Sequence, residues 1–315
     1  MDNQEEQKQS NSRRRFIKNF GLSVGIGALA VGGVLKAAKP EKKKKGESIR
    51  VLTEEGDTVE IDRSDIKPLT QKEQLKENQR RGIEGLPGKK WVMVIDLSKC
   101  RNARMCMNAC QEAHHLRPEQ HHINTLRMQD AKDTQPYFMP KPCFHCDNPP
   151  CTKVCPVNAT WKRQDGIVLI NNERCIGCRF CIAACPYSAR VFHWNEPLQV
   201  DGDDDRIYDI ELNVPQKKGT ISKCLFSADR LRQGKLPYCV SSCPNSVYWF
   251  GDKNEDAVTN GTTGITRRFS ELIRENAGYP LYEELGTKPQ VFYLPPKNRQ
   301  FPFEFEGKTT IEKHS

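Results

Sequence analysis

The sequence predicts an α+β protein, rich in loops, built as two interlocked lobes with the second inserted between the halves of the first. Three observations lead there. Fourteen cysteines fall into four groups along 315 residues. Three of the groups end in Cys-Pro, and a similar short step follows each one. The composition, with 20 Pro, 21 Gly and 28% charged residues, is that of a loop-rich chain with much polar surface. A mean hydropathy of −0.71 excludes a multi-span membrane protein. The length alone argues for about two domains.

Residues 1–38 read as an address. Ser12-Arg13-Arg14-Arg15-Phe16-Ile17-Lys18 precedes a glycine-rich apolar stretch from Gly21 to Leu35. That stretch is shorter than the roughly 20 residues a spanning helix needs, and basic-then-apolar is the order of a signal peptide. The segment resembles a twin-arginine export signal, with Arg13 and Arg14 as the pair. That route carries folded proteins, often with metal cofactors already inserted, and it implies the twin-arginine translocase as a partner. The stretch ends at Ala37-Ala38 with no small residue at −3, so a cleaved signal and an uncleaved anchor both stay open.

Residues 39–90 read as a polar arm. Val51 and Leu52 against Val59 and Ile61 form a small hairpin around Glu55-Gly56-Asp57. Lys42 to Lys45 is a solvated tether. The formal charge of +9 falls to +6 without residues 1–38, which hold six Lys/Arg and three acids. A nucleic-acid partner is not expected.

From Trp91 the cysteines set the organisation. The groups are Cys100, Cys106, Cys110; then Cys143, Cys146, Cys151, Cys155; then Cys175, Cys178, Cys181, Cys185; then Cys224, Cys239, Cys243. The third has the C-x2-C-x2-C-x3-C-P spacing of bacterial ferredoxins, in which three thiolates wrap one cluster and the fourth ligates another. The second is the same device with a longer loop. Exchange of fourth cysteines predicts one 4Fe–4S cluster on Cys143, Cys146, Cys151 and Cys185, and another on Cys175, Cys178, Cys181 and Cys155. Zinc accepts CxxC pairs, but two complete runs ending in Cys-Pro favour iron.

Overlaid on these runs, the outer groups each lack one cysteine, at Ala103 and at Ser227. Sixteen expected ligands less two leaves the fourteen present. The same exchange predicts a site on Cys100, Cys106 and Cys243, incomplete or of 3Fe–4S type. It predicts another on Cys224, Cys239 and Cys110, either 3Fe–4S or a 4Fe–4S cluster completed by the Ser227 hydroxyl. Empty sites are the alternative for both.

The repeat carries the overlay further. Val157-Asn158-Ala159, Tyr187-Ser188-Ala189 and Asn245-Ser246-Val247 follow the three Cys-Pro steps. Trp91–Asp96 reads as a buried strand leading to Cys100, and Ile167–Ile170 as its counterpart before Cys175, after an Asp165-Gly166 turn. Residues 91–135 with 217–260 make the first ferredoxin-like lobe, and 136–216 the second. Residues 261–315 make a C-terminal arm expected to dock on partners.

The segment from Trp91 to about Leu294, roughly two-thirds of the chain, resembles the four-cluster ferredoxin-type (beta) subunits of respiratory complexes related to molybdopterin oxidoreductases. The residues that carry it are Cys143 to Cys151, Cys175 to Pro186, Pro237 to Pro244, and the tail around Gly286-Thr287-Lys288-Pro289. The resemblance implies an electron wire on the periplasmic side of the cytoplasmic membrane. Its partners would be an integral membrane quinone-binding subunit and a molybdopterin or multihaem cytochrome subunit. Ala103 and Ser227 depart from the pattern, both in the first lobe.

Other residues carry less. His145 sits inside a cysteine loop, to tune a centre or to pack. His114 and His115 follow Cys110 and are conceivable replacement ligands. Arg101, Arg104, Arg179 and Arg190 are read as surface positions near the loops, and Trp161, Trp194 and Trp249 as packing. No nucleophile–base pair, phosphate loop or dinucleotide motif appears, and no substrate site is recognised. The expectation is electron transfer with no catalytic residue. Its rivals are a stand-alone oxidoreductase using an open iron, and a two-cluster wire whose first lobe is an empty scaffold.

Overall fold

A computed structural model describes residues 48–52, 58–62, 70–132, 134–198, 200 and 206–296 of the chain. The twin-arginine stretch and the lysine run lie outside the described residues. Helices and sheets are mixed, as expected. Among the described residues no helix is long and apolar enough to cross a membrane.

The chain divides after Pro68 into two units. In the first, Ser48–Leu52 pairs antiparallel with Thr58–Asp62, in the register Leu52 to Thr58 and Ser48 to Asp62. This is the expected hairpin, with its turn residues outside the description.

The second unit begins with a helix, Gln71–Glu84, where the polar composition of the stretch to residue 90 suggests an extended arm. What starts the helix is a capping box: the Thr70 hydroxyl accepts the Glu73 N–H, and the Glu73 carboxylate accepts the Thr70 N–H at 2.8 Å. Few apolar residues mark the helix, because it packs through a backbone contact. A Cβ on Gly82 would lie 2.7 Å from Ile210 Cγ2, and the Gly82 carbonyl accepts the Trp161 indole N–H at 3.0 Å.

Trp91–Asp96 is the centre of a six-stranded sheet. It pairs antiparallel with Tyr248–Asp252 and parallel with Val291–Leu294. Val92, Met93, Val94 and Ile95 are all fully buried. Met93 and Ile95 face the main core, which also holds the cysteines. Val92 and Val94 pack under Phe269 and Leu272 of the helix Phe269–Glu275. Burial on both faces accounts for an unbroken apolar run. The strand expected at Ile167–Ile170 spans Val168–Ile170 and pairs with Thr160–Lys162, with Gly166 at φ 85 in the turn.

The described part of the stretch from residue 261 is built into this unit. Thr266–Arg268, Tyr279–Pro280 and Val291–Leu294 are strands of the central sheet. The Asp147 N–H donates to the Lys288 carbonyl at 2.8 Å, and the Asn148 N–H to the Thr287 carbonyl at 3.0 Å. The tail therefore clamps the loop that carries Cys143 and Cys146.

Candidate metal centres

All fourteen cysteines are free thiols. Four short loops and the helices that follow them present these residues, and the loops share one backbone device. The residue two places after the first cysteine has positive φ in each: Asn102 at 57°, His145 at 41°, Gly177 at 68° and Phe226 at 54°. The step after each Cys-Pro repeats another: Asn158 at 49°, Ser188 at 51° and Ser246 at 57°. A non-glycine residue in this region costs about 1–2 kcal/mol. It recurs in the loops of Ala103 and Ser227 as in the complete ones. The turns aim backbone N–H groups at sulfur. The Ala159 N–H reaches Cys155 Sγ at 3.2 Å, the Ala189 and Tyr187 N–H groups reach Cys185, and the Asn102 N–H reaches Cys100.

Three of the four expected sets line cavities. Cys175, Cys178, Cys181 and Cys155 line one. Cys143, Cys146, Cys151 and Cys185 line another. Cys100, Cys106 and Cys243, with Ala103, line the third. In each complete set the fourth sulfur comes from the other run. The fourth set, Cys110, Cys224 and Cys239, is buried and close enough for mutual electrostatic influence. Here the helix Met105–Ala113, carrying Cys110, packs on Tyr238–Ser242, carrying Cys239. Ser227 is buried and its Oγ accepts the Tyr238 N–H at 3.1 Å.

Burial pushes the thiols up, Cys146 to about 12 and Cys224 to about 11, and it also raises Cys110 and Cys239. A metal that displaces the protons removes that obstacle. The surroundings offer matching positive charge. Lys223 is fully buried; its Nζ donates to the carbonyls of Val168 and of Cys224, the latter at 2.7 Å. It is close enough to Cys143, Cys151 and Cys224 to feel their charge.

Arg190, read from sequence as a surface residue, is 7% exposed. One guanidinium nitrogen donates to Thr160 Oγ1 at 2.9 Å, and Nη1 has no hydrogen-bond partner among the described residues. It stands beside Cys151 and Cys181. An unpaired buried cation is costly. Anionic sulfur-rich centres in the neighbouring cavities would satisfy it, and four thiolates per set suit iron–sulfur ligation.

Of the remaining residues singled out in the sequence, His145 packs. Its Nδ1 accepts the Val168 N–H at 3.0 Å, and its ring stacks on Phe226. Arg179 does lie at the surface of its loop, stacked over Phe192 and Trp194 at 5.3 and 5.0 Å. Trp194, expected to pack, is 64% exposed. Arg101 and Arg104 line the cavity at Ala103 and are exposed. Missed in the sequence were Lys223, adjacent to Cys224, and the hydrogen bond from Thr287 of the tail to Cys146. Also missed was His122, which lies buried near Cys110.

Residues 134–200 match the family described as 4Fe-4S dicluster domain. The chain is 35% identical to a selenate reductase subunit of Mesobacillus selenatarsenatis over 307 residues, covering 90% of this chain and 97% of that one. It is 34% identical over 236 residues to the menaquinone reductase iron–sulfur cluster-binding subunit of Nitratidesulfovibrio vulgaris, covering 65% and 88%. With a tetrathionate reductase subunit of Salmonella typhimurium it shares 33% identity over 218 residues, covering 67% and 74%.

Proposed function

The chain belongs to the family of ferredoxin-type iron–sulfur subunits of respiratory oxidoreductase complexes, and from that premise we propose how it works as an electron-transfer subunit. Two interlocked dicluster lobes hold its centres. Cys143, Cys146, Cys151 and Cys185 ligate one 4Fe–4S cluster, and Cys175, Cys178, Cys181 and Cys155 another. The observation that carries this is the exchange of Cys155 and Cys185 between adjoining cavities. Cys100, Cys106 and Cys243 hold a 3Fe–4S cluster, since Ala103 offers no ligand. Cys110, Cys224 and Cys239 hold a fourth centre.

When bound, the clusters supply one-electron carriers. The chain fixes their order and excludes water with the core around Met93, Ile95, Phe226 and Phe250. It sets their potentials through Lys223, Arg190 and the N–H groups on sulfur. Electrons pass between an integral membrane quinone-binding subunit and a molybdopterin or multihaem subunit, on the periplasmic side of the membrane, after export by the twin-arginine translocase.

Co-purification from solubilised membranes tests the assembly. The chain should travel with both subunits and be reduced by a quinol analogue; recovery as a lone chain inert to quinol contradicts the proposal. Replacing Arg13 and Arg14 by lysine should trap cluster-bearing protein in the cytoplasm, and normal export would refute the routing. Ala103→Cys should replace an oxidised-state 3Fe signal by one seen only on reduction.

A further inference from the structure

The fourth set is short of one thiolate, and the hydroxyl nearest in sequence, Ser227, already accepts the Tyr238 N–H through one of its lone pairs. Two imidazoles stand beside its Cys110. Cys110 and His114 are four residues apart, on one face at the end of the helix Met105–Ala113. His122 comes from the loop before the strand Asn124–Met128. The Cys110 sulfur and one ring nitrogen each of His114 and His122 all lie within 4.8 Å of one another, and all three residues are buried.

Both rings are held as metal-ligating histidines are held, by a hydrogen bond on one nitrogen. His114 Nδ1 is 2.7 Å from the Leu212 carbonyl, so it carries the hydrogen and Nε2 the lone pair. His122 Nε2 is 2.8 Å from Ser222 Oγ, in the strand Ile221–Lys223 that leads directly to Cys224. His122 Nδ1 is buried and has no hydrogen-bond partner among the described residues. A buried nitrogen left unbonded costs about 1–3 kcal/mol, and a metal bond removes that cost.

We propose that the fourth set is a mixed thiolate–imidazole site, in which His122 Nδ1 ligates iron alongside Cys110, Cys224 and Cys239 in place of Ser227. His114 is the positioning neighbour, its ring 5.2 Å from that of His122. The assignment rests on the reading that this set holds an iron–sulfur centre. Imidazole in place of thiolate raises the potential of such a centre.

The test is pulsed electron paramagnetic resonance on the full chain, purified anaerobically, reduced, and labelled with 15N-histidine. The expected result is a strong histidine-nitrogen coupling, distinct from the weak coupling of peptide N–H groups to sulfur. It should vanish in His122→Gln and persist in Ser227→Ala. His122→Cys should give a fourth centre of lower midpoint potential with no histidine coupling. A fourth centre that shows only peptide-nitrogen coupling, or that is lost in Ser227→Ala, overturns the ligand assignment. Iron that accounts for the other three sets alone overturns it by a separate route, because the iron count then fails the cluster reading itself. The labelled wild-type spectrum decides the matter even if a variant does not assemble.

Discussion

His145 lies flat on Phe226, with ring centroids 3.8 Å apart and planes 29° from parallel. Each is the left-handed residue of its cysteine loop, one between Cys143 and Cys146, the other between Cys224 and Ser227. Phe226 also meets Phe250 edge-on at 5.3 Å, in the strand beside Trp91–Asp96. A loop of the second group and a loop of the fourth are thus joined through one buried aromatic contact. The stack joins the two loops that carry Cys143, Cys146 and Cys224.

Phe226→Ala should therefore loosen both loops at once. Truncating a fully buried phenylalanine costs about 3–5 kcal/mol. The thermal midpoint of the anaerobic holoprotein should fall by several degrees, with both sets losing iron earlier on heating. An unchanged midpoint would mean that the stack carries no stability.

Lys223→Met keeps the length of the side chain and removes its charge. The ammonium is near Cys143, Cys151 and Cys224, and a buried cation favours the more negative, reduced state of an adjacent centre. Redox titration should show the potential of the Cys143, Cys146, Cys151 and Cys185 centre falling. The Cys100, Cys106 and Cys243 centre should move less. Equal shifts everywhere would point to a general structural change instead.

The cysteine spacing made the ligand sets legible, because a thiolate's role is written in its position and in the Cys-Pro that follows. The strands Trp91–Asp96 and Val168–Ile170 were legible as apolar runs. Lys223 and Arg190 were not, since a charged residue in sequence reads as surface unless the anion that pairs with it is visible. Asp165 shows the same limit. It reads as a turn residue before Gly166, yet its carboxylate is fully buried against Arg163, whose guanidinium also reaches Glu211 at 2.5 Å. The helix Gln71–Glu84 escaped because it docks through the Gly82 backbone and offers no apolar stripe. His122 escaped because nothing near it in sequence is a ligand; only the fold brings it to Cys110.

Gly177→Ala should remove one centre alone. A Cβ there would lie 2.0 Å from the Gly219 carbonyl oxygen, at a φ of +68° that side chains disfavour. Iron content should drop by one cluster, with loss of the signal from the Cys175, Cys178, Cys181 and Cys155 set. Full iron content in the variant would contradict the tight packing of that loop.

Acid should weaken the fold in a defined window. His193 is 2% exposed, and burial lowers it to about 4, from an ordinary value of 6.5. A folded value below the unfolded one gives stability that is complete above about pH 6.5 and lost as pH falls towards 4. At most this is about 3 kcal/mol. His193→Gln should flatten the stability–pH curve between those limits; a curve of unchanged slope there would assign the loss to other groups.

The central claim is that the second lobe holds two 4Fe–4S clusters by exchanged cysteines. Iron and sulfide analysis with electron paramagnetic resonance, on anaerobically purified Cys155→Ser and Cys185→Ser variants, tests it most directly. The wild type should contain at least about eight irons per chain from this lobe. Cys155→Ser should perturb the centre bound by Cys175, Cys178 and Cys181, and Cys185→Ser the centre bound by Cys143, Cys146 and Cys151. Zinc in place of iron, or each substitution damaging the centre of its own run, would contradict the account.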